Sequence, residues 1–150
     1  MKLVDTDEYM MVLEGLLAEG HEVSLVISGN SMSPFLIHGR DTVLLSRLTR
    51  PVRVGDALLY QRTTGQYVFH RVYKIVDGTY TMVGDAQTVL EPSIRPEQVI
   101  AIMTSARRKG KLLKPGTFWW EFFEKVWIRM VPLRNPAKKL FTLLKKAHLV

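Results

Sequence analysis

Val23-Ser24-Leu25-Val26-Ile27-Ser28-Gly29-Asn30-Ser31-Met32-Ser33-Pro34 reads as a strand that runs straight into a sharp turn. Its first five residues alternate and are rich in β-branched side chains, which is a strand pattern, and Gly29-Asn30 ends it. Past the turn, Ser33 is placed to cap a short helix and Pro34 to take its first position, because proline has no N–H to lose there. A strand, a tight turn and a helix start present the Ser31 hydroxyl and aim free backbone N–H groups at the same spot. That suits a developing oxyanion and makes Ser31 a candidate nucleophile. On this stretch alone, Ser31 and Ser33 as plain loop caps is the stronger reading.

A serine needs a base, because at its own pKa the hydroxyl is a poor nucleophile. A nearby imidazole that takes the proton contributes roughly a hundred- to ten-thousand-fold in rate. About forty residues on, Tyr67-Val68-Phe69-His70-Arg71-Val72 is followed by Gly84-Asp85-Ala86. His70 lies in an apolar, alternating segment, so a polar ring there requires a partner or a purpose. A half-buried histidine satisfied by backbone is the competing reading. Arg71 points to the opposite face and is expected to pair with an acidic turn residue, whereas Lys74 returns to the His70 face two pleats away, about 13 Å, too far to share one serine proton.

Outward from these two stretches the chain is punctuated every ten residues or so. An amphipathic helix over 5–19 is predicted, with Asp5 and Glu8 as a capping box, Tyr9, Val12, Leu13, Leu16 and Leu17 on one face, and Gly20 as its C-terminal stop. Thr42–Leu45, Ala57–Tyr60, Tyr67–Val76, Tyr80–Val83 and 97–103 read as strands, with Thr64-Gly65 and Asp77-Gly78 as hairpin turns and 88–96 as irregular. The expected fold is mostly β (α+β): a coiled, largely antiparallel sheet or partly open barrel, with an N-terminal helix and C-terminal amphipathic helices. Ser31 and His70 would meet across it.

The chain of 150 residues has no cysteine, so it has neither a disulfide framework nor a thiolate metal site. His21, His38, His70 and His148 lack metal-ligand spacing and an acidic cluster, so no metal and no cofactor is expected. No secretion signal and no transmembrane run is visible, which by default implies a cytoplasmic protein. Charge divides the chain. Residues 1–106 carry 9 Lys/Arg against 12 Asp/Glu, and residues 107–150 carry 12 against 2.

That division suggests one domain over 1–106, holding Ser31 and His70, and a basic, aromatic-rich helical tail over 107–150, separated by an exposed run Arg107-Arg108-Lys109-Gly110-Lys111. Trp119, Trp120 and Trp127 are interleaved with Phe118, Phe122 and Phe123. Pro132 interrupts this stretch, and Asn135-Pro136 opens another helix with Leu140, Leu143, Leu144 and Ala147 on one face and Lys138, Lys139, Lys145 and Lys146 around it. An aromatic belt beside a basic amphipathic helix fits a segment lying in a membrane interface, so peripheral membrane contact through 117–150 is one expectation. Packing on the sheet or forming a homodimer is the other, with nearly equal weight. Basic charge with no recognisable binding motif does not make a nucleic-acid partner.

Gly29-Asn30-Ser31-Met32-Ser33-Pro34, Gly55-Asp56-Ala57, His70-Arg71-Val72 and Gly84-Asp85-Ala86, in this order, resemble the signal peptidase and LexA-type superfamily of serine peptidases over roughly residues 23–105. The resemblance implies that Ser31 attacks a peptide carbonyl. It also implies that His70 stands where bacterial leader peptidases carry a lysine, as in the endoplasmic-reticulum and archaeal type, and that Asp85 orients or charge-stabilises the base. Gly29 replaces the serine that bacterial enzymes use at the oxyanion, leaving backbone N–H groups around Gly29, Asn30 and Met32 for that role. The usual Gly-Asp appears here as Gly39-Arg40-Asp41, and Gln87 replaces a common Asn. The expected function is a Ser/His serine endopeptidase that cleaves a leader or signal-type segment of an extended peptide or protein substrate. The alternatives are an inactive peptidase-fold module that binds peptides or partner proteins, and a LexA-like self-cleaving regulator. Against the latter, the 22 residues ahead of the first strand are too few for a DNA-binding domain.

Overall fold

A computed structural model describes residues 6–147. Eight strands, β1 (Val23–Val26), β2 (Thr42–Ser46), β3 (Ala57–Gln61), β4 (Tyr67–Val76), β5 (Thr79–Val83), β6 (Glu91–Ile94), β7 (Val99–Arg108) and β8 (Lys111–Leu113), form one antiparallel sheet. Its order is β1-β2-β7-β3-β4-β5-β6, with β8 hairpinned onto β7, and it does not close. Asp77 (φ 50°) and Gly78 (φ 76°) turn β4 into β5, and positive φ at both central residues matches the twist of the flanking strands. Register shifts in four of the strand pairings bend the sheet.

The alternation of β4 separates two environments. Phe69 and Arg71 face a core shared by Leu59, Ala101 and Met103 of the sheet, helix α1 (Thr6–Ala18) and Met32, Phe35 and Leu36 of the Ser31 loop. Val68 and Val72 face a second core with Leu58, Tyr60, Met82 and Ile102, and His70 shares their side. Helix α1 ends in a left-handed Gly20 (φ 88°). The Gly20 N–H bonds the Leu17 carbonyl and the His21 N–H the Leu16 carbonyl, closing the last turn.

Several expectations are corrected. Helix α1 buries Met10, Leu13 and Leu17, while Tyr9, Val12 and Leu16 stay exposed, so its core stripe is rotated by one residue from the predicted one. Asp5 and His148 lie outside the described residues. Residues 31–35 form turns instead of a capped helix, with a cis Ser33–Pro34 bond. The segment read as irregular contains β6, which pairs with β5 despite Pro92, because an edge strand tolerates a missing donor. Strand β7 continues to Arg108, and Lys109-Gly110 (φ 53° and 79°) form a hairpin where a linker was expected.

Beyond β8 the chain forms α2 (Phe118–Glu121), one π-helical turn (Phe122–Val126), a 3₁₀ stretch (Trp127–Leu133) and α3 (Arg134–Lys146). Trp120 and Phe123 are buried in the first core against Phe35, with ring centroids 6.5 and 4.8 Å from it, and Ile128 and Val131 cover Val83. Of the two expectations for the tail, its first half therefore lies on the sheet. Phe118, Trp119, Leu140 and Leu143 remain exposed.

Candidate active site

The Ser31 loop is fastened at both ends and along its back. Gly29 takes a left-handed conformation (φ 83°) that glycine adopts without strain, and its N–H donates to His38 Nδ1 at 2.8 Å. At the far end Asp41, with no exposed surface, accepts the N–H groups of Ile37 (2.8 Å) and Lys109 (3.1 Å) and two bonds from Arg40. Burial alone would raise the Asp41 pKa, but these bonds outweigh it and hold the carboxyl below its usual range. Arg108 donates to the Phe35 and Pro34 carbonyls. The departure Gly39-Arg40-Asp41 is thus a structural lock, not a catalytic group.

What the loop leans on is the turn after β5. Ala86 N–H donates to the Ser31 carbonyl at 2.9 Å, and a Cβ on Gly84 would lie 2.5 Å from that same oxygen. Any side chain at 84 would push Ser31 away. Arg71 pairs with Val83 across β4 and β5, so one step along this antiparallel register His70 lies level with Gly84. The glycine therefore opens the space in which the Ser31 backbone approaches the His70 position from the neighbouring strand.

His70 is 6% exposed. Its Nδ1 faces the Tyr60 hydroxyl oxygen at 3.4 Å, and Tyr60 in turn donates to Glu91 Oε1 at 2.6 Å; Arg62 grips the same carboxylate, with Nε on Oε2 (2.7 Å) and a terminal nitrogen on Oε1 (3.0 Å). Because the hydroxyl proton is committed to Glu91, the Tyr60 oxygen offers Nδ1 only a lone pair. That arrangement matches a neutral imidazole protonated at Nδ1, with Nε2 left as the basic nitrogen. Among the described residues the one buried side-chain nitrogen or oxygen without a hydrogen-bond partner is Arg134 Nε, so His70 Nε2 is not sealed away unpaired. Burial pushes the His70 pKa down to about 4, partly offset by the Glu91 charge and reinforced by Arg62. The ring is therefore neutral over most of the accessible pH range, as a general base must be.

Asp85 is placed differently from the expectation. Both carboxylate oxygens are taken by Arg71, Oδ1 by Nε at 2.9 Å and Oδ2 by a terminal nitrogen at 3.0 Å, with both residues buried. Arg71 also donates to the Gly55 carbonyl at 2.8 Å and stacks on Phe35 at 5.3 Å. The expected ion pair of Arg71 with an acidic turn residue is this one, and it uses the carboxylate assigned by resemblance to the base. The reason is parity: Arg71 points away from His70, and Asp85 sits on the Arg71 side. Lys74 is exposed beyond a bulge at Val72/Lys74, which breaks the alternation that would have returned it to the His70 face.

Of the three residues expected at the oxyanion, the Gly29 N–H is already given to His38. Asn30 lends its carbonyl to Ser33 N–H (3.2 Å), and the Met32 side chain is buried in the core. No backbone carbonyl among the described residues takes the N–H groups of Asn30, Ser31 and Met32, which leaves these three in the loop as donors that an oxyanion can use. Among the described residues no group of three or more His, Cys, Asp or Glu side chains is placed to hold a metal ion.

Tyr60, Glu91 and Arg62 were not singled out from the sequence. Tyr60 was legible: with the β3–β4 hairpin pairing Leu58 with His70, residue 60 falls on the same face. Glu91 was not, because it belongs to the strand read as irregular.

A coiled open antiparallel sheet, with a serine-bearing loop lodged against the turn after β5 and level with a buried histidine of β4, defines a serine-peptidase-like fold. The chain belongs to the Peptidase S24-like family, the LexA and signal-peptidase type of serine peptidase, whose model matches residues 2–107. No curated protein matches the chain in sequence.

Proposed function

We propose that this protein is a serine endopeptidase that cleaves a leader or signal-type segment with Ser31 as nucleophile and His70 as general base. The observation that carries the reading is the seat of Ser31 on the glycine level with His70, where any larger residue would displace it. Ser31 Oγ attacks the substrate carbonyl carbon while its proton passes to His70 Nε2, and the N–H groups of Ser31 and Met32 bind the oxyanion. The C–N bond then breaks, His70 gives the proton to the leaving amine, and a water activated by the same imidazole releases the acyl group. Tyr60, backed by Glu91, fixes the imidazole tautomer in place of an aspartate. The substrate lies extended beside β1, an edge strand whose last residue, Val26, is 53% exposed and five positions ahead of Ser31.

A fluorophosphonate probe tests this directly. Wild-type protein labels on Ser31, Ser31→Ala does not, and His70→Gln labels at least a hundredfold more slowly. Equal labelling of the three proteins ends the proposal.

The same protein contacts an anionic membrane surface through the exposed Leu140 and Leu143 of α3 and the lysines beside them, Lys139 and Lys146. Among the described residues no helix is long and apolar enough to cross a membrane, so this contact is peripheral. Sedimentation with phosphatidylglycerol vesicles checks it: each Lys→Glu change removes about 1 kcal/mol or more of attraction. Indifference of the wild-type protein to those vesicles removes the membrane contact.

A further inference from the structure

The turn Gly84-Asp85-Ala86-Gln87 is held from two directions. On one side it donates the Ala86 N–H to Ser31. On the other it is bound by the chain beyond residue 107, outside the family match. Arg134 has no exposed surface, and one of its terminal nitrogens donates to the Gly84 and Gln87 carbonyls, both at 2.8 Å. The other donates to the Trp127 carbonyl at 3.0 Å, and the guanidinium stacks on the Trp127 ring at 5.1 Å. Trp127 Nε1 donates to the Asp85 carbonyl at 2.7 Å. Three carbonyls of the turn, those of 84, 85 and 87, thus end on two residues of the tail.

A buried guanidinium is costly to desolvate, and among the described residues it has no carboxylate of its own, since Asp85 is taken by Arg71. Two apolar residues would have covered Val83 as well. What the arginine adds is direction: its three carbonyl bonds, with a fourth from Trp127 Nε1, fix where the turn sits, and the turn fixes Ser31. The tail presses on the Ser31 loop at a second place, where Phe35 contacts both the Arg71 guanidinium and Phe123. It also meets the Gly55 motif, where a Cβ would lie 2.4 Å from the Glu124 carbonyl.

We propose that Arg134 and Trp127 are positioning residues for Ser31, acting through the 84–87 turn, so that the segment 117–134 is a working part of the peptidase. The proposal rests on the Ser31 reading. A displacement near 1 Å at a nucleophile costs about a hundredfold in rate, and the effect falls on kcat because the substrate edge at β1 is untouched.

The test uses the full chain with Arg134→Met, which keeps the stem and removes every donor, Arg134→Lys, whose ammonium again offers three donors, and Trp127→Phe, which keeps the ring and removes the Nε1–H. Two readouts are taken on folded protein: hydrogen exchange of the Ala86 amide, and the rate of Ser31 labelling with kcat and KM. Arg134→Met speeds Ala86 exchange at least tenfold, leaves the amides paired between β2 and β7 unchanged, and lowers labelling and kcat ten- to a hundredfold with KM within threefold. Arg134→Lys recovers part of both, and Trp127→Phe, the milder change if Arg134→Met does not fold, shifts both in the same direction. Unchanged Ala86 exchange in a folded variant overturns the proposal, and so does a loss confined to KM. A wild-type protein that fails to label sinks the peptidase reading by itself, while the exchange measurement still decides whether the tail holds the turn.

Discussion

His70 and Arg71 are neighbours on one strand, both almost wholly buried, and their surroundings could hardly differ more. Arg71 is saturated: two bonds to Asp85, one to Gly55 and a ring beneath it, all at ordinary or short distance. Among the described residues His70 has one long hydrogen-bond contact, 3.4 Å to Tyr60, and no charged partner touching it. The pleat accounts for the contrast, since adjacent side chains emerge on opposite faces and can be given opposite tasks. One face is built to be immobile. The other keeps a titratable nitrogen with one long contact, as the general-base role proposed for His70 requires.

The strongest way to break this contrast is to exchange the losses. His70→Gln removes the base and costs about 10²- to 10⁴-fold in kcat/KM while the melting temperature stays near or above that of the wild type. Asp85→Ala does the reverse at the level of the fold: it strands a buried guanidinium and lowers stability by about 3–5 kcal/mol, read by urea unfolding. If Asp85→Ala instead folds normally and lacks only activity, Asp85 serves the base after all.

The next effect is on pH. The folded His70 pKa, about 4, lies below its unfolded value near 6.5, so below 6.5 the unfolded chain binds the proton more readily. Stability therefore falls as pH drops from about 6.5 to 4, by on the order of 3 kcal/mol, and is regained on returning to neutral pH. His70→Phe should flatten that slope, and an unchanged slope assigns it elsewhere. In the same way the acid limb of kcat/KM lies near 4. Glu91→Gln moves it lower, because the Glu91 charge favours the protonated ring. A limb that stays at 6.5 means an exposed, unpoised imidazole.

Tyr60→Phe is the smallest change. It removes the oxygen that faces Nδ1 and frees Glu91, at a cost of about fivefold in kcat, near 1 kcal/mol for a long neutral hydrogen bond. A loss above a hundredfold would make Tyr60 a direct participant in proton transfer and would narrow the contrast between the two faces.

Much of this was written in local patterns. The six strands read from the sequence, the hairpins at Thr64-Gly65 and Asp77-Gly78 and the serine-bearing turn follow from side-chain period, apolar runs and glycine conformation, which depend on nearest neighbours in the chain. So does the opposition of His70 and Arg71. Helix α1 was legible as a helix but not in its buried face, because a stripe one residue either side of Leu13 is equally apolar and only the partner surface chooses. Strand β6 was hidden by Pro92 and by polar residues whose pairing exists only because β5 lies beside them.

The tertiary structure alone decided who partners whom. Three Gly-Asp-type turns have similar sequences, yet Asp41 locks a loop, Asp56 holds Arg50, and Asp85 is claimed by Arg71, leaving His70 to Tyr60 and Glu91. The tail shows the same limit: its aromatic and basic composition fits a membrane surface as well as a sheet, and the choice between them rests on whether the chain folds back over Val83 and the 84–87 turn. Composition and period carry the tendency of each segment, since those act within a few residues. Partnership across 14, 31 or 50 positions depends on where the coiled sheet brings the strands and turns together.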